Sequence, residues 1–195
     1  MPLFGKKKYS TLSALVAGCQ QLEPRAQHLF YERYKGRLLG MCLRYAHTRA
    51  EAEDIFQEAF VKIFAHIHQL QQPEAADRWV KSVVVRTAIT HYHGTLRSTQ
   101  LRSSLEEETE TLASDEYDQF IKQLTQDALM VFIKSLPDSQ QLVVNLYLIE
   151  GYTHAEIAEL LALPPATVRS QYSRARQRLL TLFQQNGLTR HELFE

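Results

Sequence analysis

The sequence predicts an all-α protein of two small helical domains joined by an acidic linker. Three observations lead there. Apolar residues recur at helical spacing through most of the chain, while the seven glycines and six prolines are few and β-branched runs are short. That periodicity fades over residues 98–118, where serine, threonine and acids take over ("RSTQLRSSLEEETETLASDEYD"). Charge is also sorted along the chain. Residues 78–104 hold five bases and no acid, 105–118 seven acids and no base, and 161–183 four arginines and no acid. The net charge of zero hides this pattern, which is more informative than the sum.

The 195 residues suffice for one medium domain or two small ones, and 45% apolar with 23% charged suits a folded soluble chain. The two cysteines, Cys19 and Cys42, lack CxxC spacing and read as plain buried residues. "MPLFGKKK" is followed by no apolar signal core, and no apolar run reaches membrane-spanning length. A reduced, cytoplasmic protein is expected.

Residues 10–22 place Leu12, Leu15, Val16 and Cys19 on one helical face. Pro24 suits the first turn of a second helix, which runs to about 46 with Phe30, Tyr34, Leu38 and Cys42 in its stripe. After a break at 47–49, a third helix covers 50–69 and buries Ile55, Phe56, Phe60, Ile63, Phe64 and Ile67. "HQLQQPEAAD" (68–77) is a loop around Pro73. A fourth helix takes roughly 74–93, with Trp79 read as a core tryptophan and Gly94 as the stop.

The first domain is thus 10–97, the linker 98–118 and the second domain 119–183. The second domain opens with a helix near 119–135. Pro137 then starts, and Gly151 ends, a helix so apolar that it must be the core of a small bundle. "THAE" at 153–156 is a capping box. "LPP" at 163–165 breaks the chain, because the residue before a proline is pushed out of the α region. Pro165 then begins a helix with Val168, Tyr172, Ala175 and Leu179 on one stripe and arginines elsewhere. This is a helix-turn-helix pattern with a basic second helix.

The stretch "LPDSQQLVVNLYLIEGYTHAEIAELLALPPATVRSQYSRARQRL" resembles region 4 of bacterial sigma factors, which binds the −35 promoter element. "LFYERYKGRLLGMCLRYAHTRAEAEDIFQEAFVKIF" is similar to regions 2.1 and 2.2, and "ADRWVKSVVVRTAITHYH" to regions 2.3 and 2.4, which read the −10 element. Order and linker length match the extracytoplasmic-function (ECF) form, without regions 1.1 and 3. The resemblance covers about residues 10–182. It implies an RNA polymerase sigma factor with no catalysis, cofactor, metal or small-molecule substrate of its own. The implied partners are core RNA polymerase (its β′ clamp helices and β flap), promoter DNA and an anti-sigma factor.

Carried over residue by residue, "EDIFQEAF" implies that Asp54, Gln57 and Glu58 dock on the β′ coiled coil. Spacings of three and four put them on one helical face. The −10 residues are expected in the loop 68–77 and at Lys81, Arg86, Thr87, Thr90, His91 and Tyr92, with Trp79 a further candidate for which the core reading is favoured. For the −35 element, Thr167, Arg169, Ser170, Ser173 and Arg174 are expected at base edges and Arg176 and Arg178 at phosphates. The chain departs from the family at Thr87 and Thr90, often asparagine and aspartate. It also departs at Ala162, Pro164 and Gln171, often glycine, serine and a basic residue.

Two other classes fit less well. A stand-alone helix-turn-helix activator has no use for "DIFQEAF". A metal site at "HIH" (66–68) or "HYH" (91–93) lacks a completing cysteine or acid, and histidines two apart point to different sides of a helix.

Overall fold

The computed structural model describes residues 8–99 and 126–185. The chain divides into two compact units, Met1–Arg102 and Ser103–Glu195, and every regular element among the described residues is helical.

In the first unit, α1 (Leu12–Gln20) starts at Thr11, whose hydroxyl accepts from the Ala14 amide at 3.1 Å. It ends in a left-handed residue, Leu22 (φ 58°), across which the Glu23 amide donates to Gly18 O at 3.0 Å. α2 (Pro24–Tyr45) begins on its proline as the sequence predicts. α3 (Arg49–His66) is capped inside the predicted break: the Thr48 hydroxyl accepts from the Glu51 amide at 3.1 Å. Single 3₁₀ turns at Ile67–Gln69 and Pro73–Ala75 carry the chain through the loop to α4 (Ala76–Thr99).

Gly94 is not a stop, because α4 runs through it to Thr99. A glycine ends a helix only by turning left-handed. Held in helical backbone, it costs about 1 kcal/mol, which the rest of the helix outweighs. Of the predicted linker, residues 98 and 99 belong to α4, and 100–118 lie outside the described residues.

The core of this unit is an aromatic seam between α2 and α3. Tyr31 meets Phe56 and Phe60 at centroid distances of 5.9 and 4.9 Å, and Phe30 meets Tyr34 at 4.6 Å. Val80, Val84, Val85 and Ala88 of α4 are buried against these helices. Phe64, predicted buried, is half-buried at the edge of the seam. Cys19 and Cys42 are buried and free, and burial pushes their thiols up to about 11 and about 12.

In the second unit, the described part of the predicted 119–135 helix is α5 (Gln126–Lys134); residues 119–125 lie outside the described residues. α6 (Asp138–Val144) passes into a π turn at Asn145–Ile149, where the sequence predicts one uniform helix. Glu150 N donates five residues back to Asn145 O, and Tyr152 N donates to Leu146 O across left-handed Gly151 (φ 78°). The predicted glycine end holds, but the last turn is widened. Consecutive residues 140–146 are buried, as expected of the bundle's core helix.

α7 (His154–Leu161) carries the predicted capping box. Thr153 N donates to Glu156 Oε2 at 2.8 Å, and Glu156 N to Thr153 Oγ1 at 3.2 Å. α8 (Pro165–Gln185) buries Val168, Tyr172, Ala175 and Leu179 as predicted, and also Phe183, which meets Phe132 edge-on at 4.9 Å.

Two substitutions test this local physics. A Cβ on Gly18 would stand 2.7 Å from Ala26 Cβ and 2.8 Å from Tyr9 Cε1. Gly18→Ala should destabilise the first unit by about 1 kcal/mol net, because overpacking outweighs the gain in helix propensity. Urea unfolding followed by Trp79, the chain's one tryptophan, reports this unit. Ala162 is exposed and left-handed (φ 52°, ψ 42°). Ala162→Gly should stabilise the second unit by about 1 kcal/mol by removing the Cβ penalty, read from circular dichroism.

Candidate polymerase and nucleic-acid interfaces

α3 has two unlike sides. Ala52, Ile55, Phe56, Ala59, Phe60 and Ile63 are buried, whereas Asp54 and Gln57 are exposed and have no partner among the described residues. Glu58 is half-buried and already engaged. Lys62 Nζ lies 2.7 Å from its Oε1, and His91 Nε2 lies 2.5 Å from its Oε2. The bond to Lys62 does most to hold the Glu58 carboxyl below the usual carboxylate range; burial opposes it, and the bond to His91 lowers it further.

The sequence reading missed Val61. It is 69% exposed and stands one turn beyond Gln57 on the same face. Its signal was available: it is an apolar residue off the buried stripe of α3. Asp54, Gln57 and Val61 together form an acidic and apolar strip backed by the aromatic seam.

α4 separates the predicted −10 residues. Arg86 and Thr90 are exposed and share a face with Trp79 and Val83, at spacings of four, three and four. Trp79 is half-buried and absent from the core, so its reading as a core tryptophan is corrected; it adds an aromatic surface to the face that carries Arg86 two turns further on. Lys81 and Tyr92 share a different face and are half-buried. His91 is turned to Glu58.

Thr87 must be withdrawn as a DNA contact in this conformation. It is fully buried, and its hydroxyl donates to Val83 O at 2.9 Å. A threonine can satisfy its hydroxyl on the preceding helical turn, so a polar identity did not guarantee an exposed position. Thr90 makes the same back-bond to Arg86 O at 2.9 Å but stays exposed.

The start of α4 is pinned through Asp77. Tyr34 donates to Asp77 Oδ1 at 2.7 Å, and Arg37 Nη2 donates to Asp77 O at 3.2 Å. Burial first, then Asp77, push the Tyr34 phenol up to about 12, so it remains a donor.

On α8, Arg169 and Ser170 are exposed, while Thr167, Ser173, Arg174 and Arg176 are half-buried. Ser170 and Ser173 lie opposite the buried stripe, with Arg169 and Arg176 on one flank and Thr167 and Arg174 on the other. Arg178 is set apart: its Nη1 donates to Gln140 Oε1 at 3.3 Å, beside a groove lined by Leu136, Pro137 and Leu182. His154 also escaped the sequence reading. Its ring stacks on Tyr147 (4.5 Å, 6°) and lies 5.2 Å from Tyr172 of α8, tying the first helix-turn-helix element to the second. No group of three or more His, Cys, Asp or Glu suited to a metal occurs among the described residues. No described helix is long and apolar enough to cross a membrane.

Known proteins place this architecture. Residues 30–97 match the family model of Sigma-70 region 2, and residues 126–179 that of Sigma-70, region 4. The ECF RNA polymerase sigma-E factor of Haemophilus influenzae is 28% identical over 184 residues, spanning 86% of this chain and 92% of that protein. The RNA polymerase sigma-H factor of Pseudomonas aeruginosa is 27% identical over 171 residues, spanning 84% and 89%. A solved structure of CnrH in complex with the cytosolic domain of CnrY aligns over 88% of this chain and 96% of that one, with 17% identity and a TM-score of 0.48.

The two units thus define an RNA polymerase sigma factor, a protein of promoter recognition in transcription initiation. The chain belongs to the extracytoplasmic-function branch of the sigma-70 family.

The Glu58 contacts set a testable pH behaviour. A carboxyl lowered in the folded state adds stability above its ordinary range, and that stability is lost as pH falls through the lowered value. At this exposure the contribution is small. Following the Glu58 carboxyl by NMR, Lys62→Met should raise its titration midpoint more than His91→Asn does. The reverse order would mean that the histidine is the main partner.

Proposed function

We propose that this chain is the promoter-specificity subunit of an RNA polymerase holoenzyme, works in the cytoplasm and performs no catalysis itself. Asp54, Gln57 and Glu58, extended by Val61, dock on the β′ clamp helices, and the second unit meets the β flap. One observation carries this reading: two polar side chains stand exposed and unengaged on a helix whose opposite side is sealed into the core. Glu58 joins the contact only by exchanging its bonds to Lys62 and His91 for bonds to the partner.

The −10 element is held by the loop 68–77 and by the Trp79, Arg86 and Thr90 face. Bases taken out of a duplex need a flat apolar wall and a basic track, and Trp79 with Arg86 two turns along the same face supplies both. Lys81, His91 and Tyr92 lie off that face and serve the backbone or the packing of α4. For the −35 element, α8 lies in the major groove with Arg169, Ser170, Ser173 and Arg174 toward base edges, Thr167 beside them and Arg176 toward phosphate. Arg178 acts at the edge, through Gln140. An anti-sigma factor that covers these faces is the proposed restraint on the free chain.

Run-off transcription with purified core polymerase and a library of genomic promoters tests the reading. Wild type should give discrete transcripts, and Asp54→Ala/Gln57→Ala should weaken holoenzyme formation by roughly tenfold or more, the loss typical of central interface residues. Binding of duplex DNA by the free chain, with no holoenzyme and no initiation, would instead identify a stand-alone activator.

A further inference from the structure

We propose that Gln20, the last residue of α1, is a positioning residue for the −10 loop. The proposal rests on the reading of residues 68–77 as the segment that holds −10 bases.

Gln20 lies far from that loop in sequence but reaches it in space. Its Nε2 donates to Ile67 O at 3.1 Å and to Leu70 O at 2.9 Å, so both amide hydrogens are used. These two carbonyls bracket the 3₁₀ turn Ile67–Gln69, and Leu70 N closes the turn by donating to Ile67 O at 3.1 Å. Ile67 and Leu70 are buried, and α1 packs along both 3₁₀ turns of the loop. The side chains that alternate with those anchors are exposed: His68, Gln69, Gln71 and Gln72. The loop is therefore nailed down by two apolar residues and one bidentate amide, and its base-reading groups all point outward.

That arrangement suits the task. Capturing an unstacked base is costly, so the capturing groups must be ordered before the base arrives. At its far end the loop is fixed by Asp77, which Tyr34 and Arg37 hold. At its near end Gln20 is the side chain that holds the backbone. Neither α1 nor Gln20 belongs to a predicted DNA or polymerase face, so its effect on promoter capture is indirect.

The test compares Gln20→Met, which keeps length and removes the donor, with Gln20→Lys, whose ammonium can serve both carbonyls. Each variant is assembled with core polymerase. Three quantities are read: affinity for core, unfolding followed by Trp79, and holoenzyme affinity for a single-stranded oligonucleotide. The oligonucleotide carries the non-template −10 bases of a promoter from which wild-type holoenzyme has been shown to start. Gln20→Met should bind it about tenfold more weakly, as loss of two ordinary hydrogen bonds would give, with core affinity unchanged. Gln20→Lys should stay within about twofold of wild type. Wild-type binding by Gln20→Met overturns the proposal, as does a loss that tracks core affinity and is not restored by lysine. If Gln20→Met fails to fold, Gln20→Glu takes its place; equal binding by the glutamate and lysine variants overturns the proposal. A wild-type holoenzyme that ignores the oligonucleotide overturns the reading of the loop itself, and the two failures are thereby separated.

Discussion

Phe56 and Phe60 lie within 5.9 Å of the Tyr31 ring, and Phe60 also contacts Phe64 at 5.8 Å. This packing of α3 on α2 fixes the rotation of α3 about its own axis. With the aromatic side inward, Asp54, Gln57 and Val61 have only solvent to face. A helix shows one stripe to its core and leaves the rest exposed, so the proposed docking strip is defined by what the core excludes. Buried area of this kind supplies most of the stability, while exposed polar groups contribute little to it and can be given over to binding. The proposed polymerase face is thus the reverse side of the hydrophobic seam.

The same division explains how a chain with no net charge is suited to DNA. What sets α4 and α8 apart is the lack of acids: after Asp77, α4 carries only bases, α8 carries only bases, and Arg86 and Arg169 stand exposed on them. Attraction to phosphate depends on local charge within about a Debye length, roughly 8 Å at physiological salt, and not on the sum over the chain. A local excess of bases on each helix is therefore compatible with a chain whose charges sum to zero.

Helices, caps and the recognition helix were legible because they are local in sequence. Thr153 and Glu156 are three residues apart, and Val168, Tyr172, Ala175 and Leu179 repeat at helical spacing. What escaped was decided through space. Thr87 and Thr90 are the same residue type three apart, yet one is sealed and the other exposed, because only Thr87 falls on the side packed by the bundle. Glu58 meets His91 from 33 residues away, and Gln20 meets Leu70 from 50. Trp79 was misjudged because size and apolarity suggest burial without stating which side of α4 is covered. Gly94 and the π turn after Val144 failed for a subtler reason: each is a conformational choice that a single residue permits and the rest of its helix decides.

The turn between α7 and α8 shows how such a choice is enforced. The chain lacks the glycine and the capping serine common in this family, and has Ala162 and Pro164 instead. Ala162 still turns left-handed, at a cost of roughly 1 kcal/mol, and Leu163 N donates to Ala158 O at 3.0 Å as in a glycine-ended helix. Pro165 presets the first helical φ of α8 and has no amide to satisfy, which reduces the need for a cap. The angle between the two helices is then held away from the turn, by His154 stacked on Tyr147 and leaning on Tyr172. Aromatic pairs of this kind are worth about 0.5–1.5 kcal/mol beyond their burial, enough to offset one strained residue. Precision at the recognition helix therefore comes from side-chain packing behind it, and the turn sequence is free to depart from its relatives without moving Arg169 and Ser170.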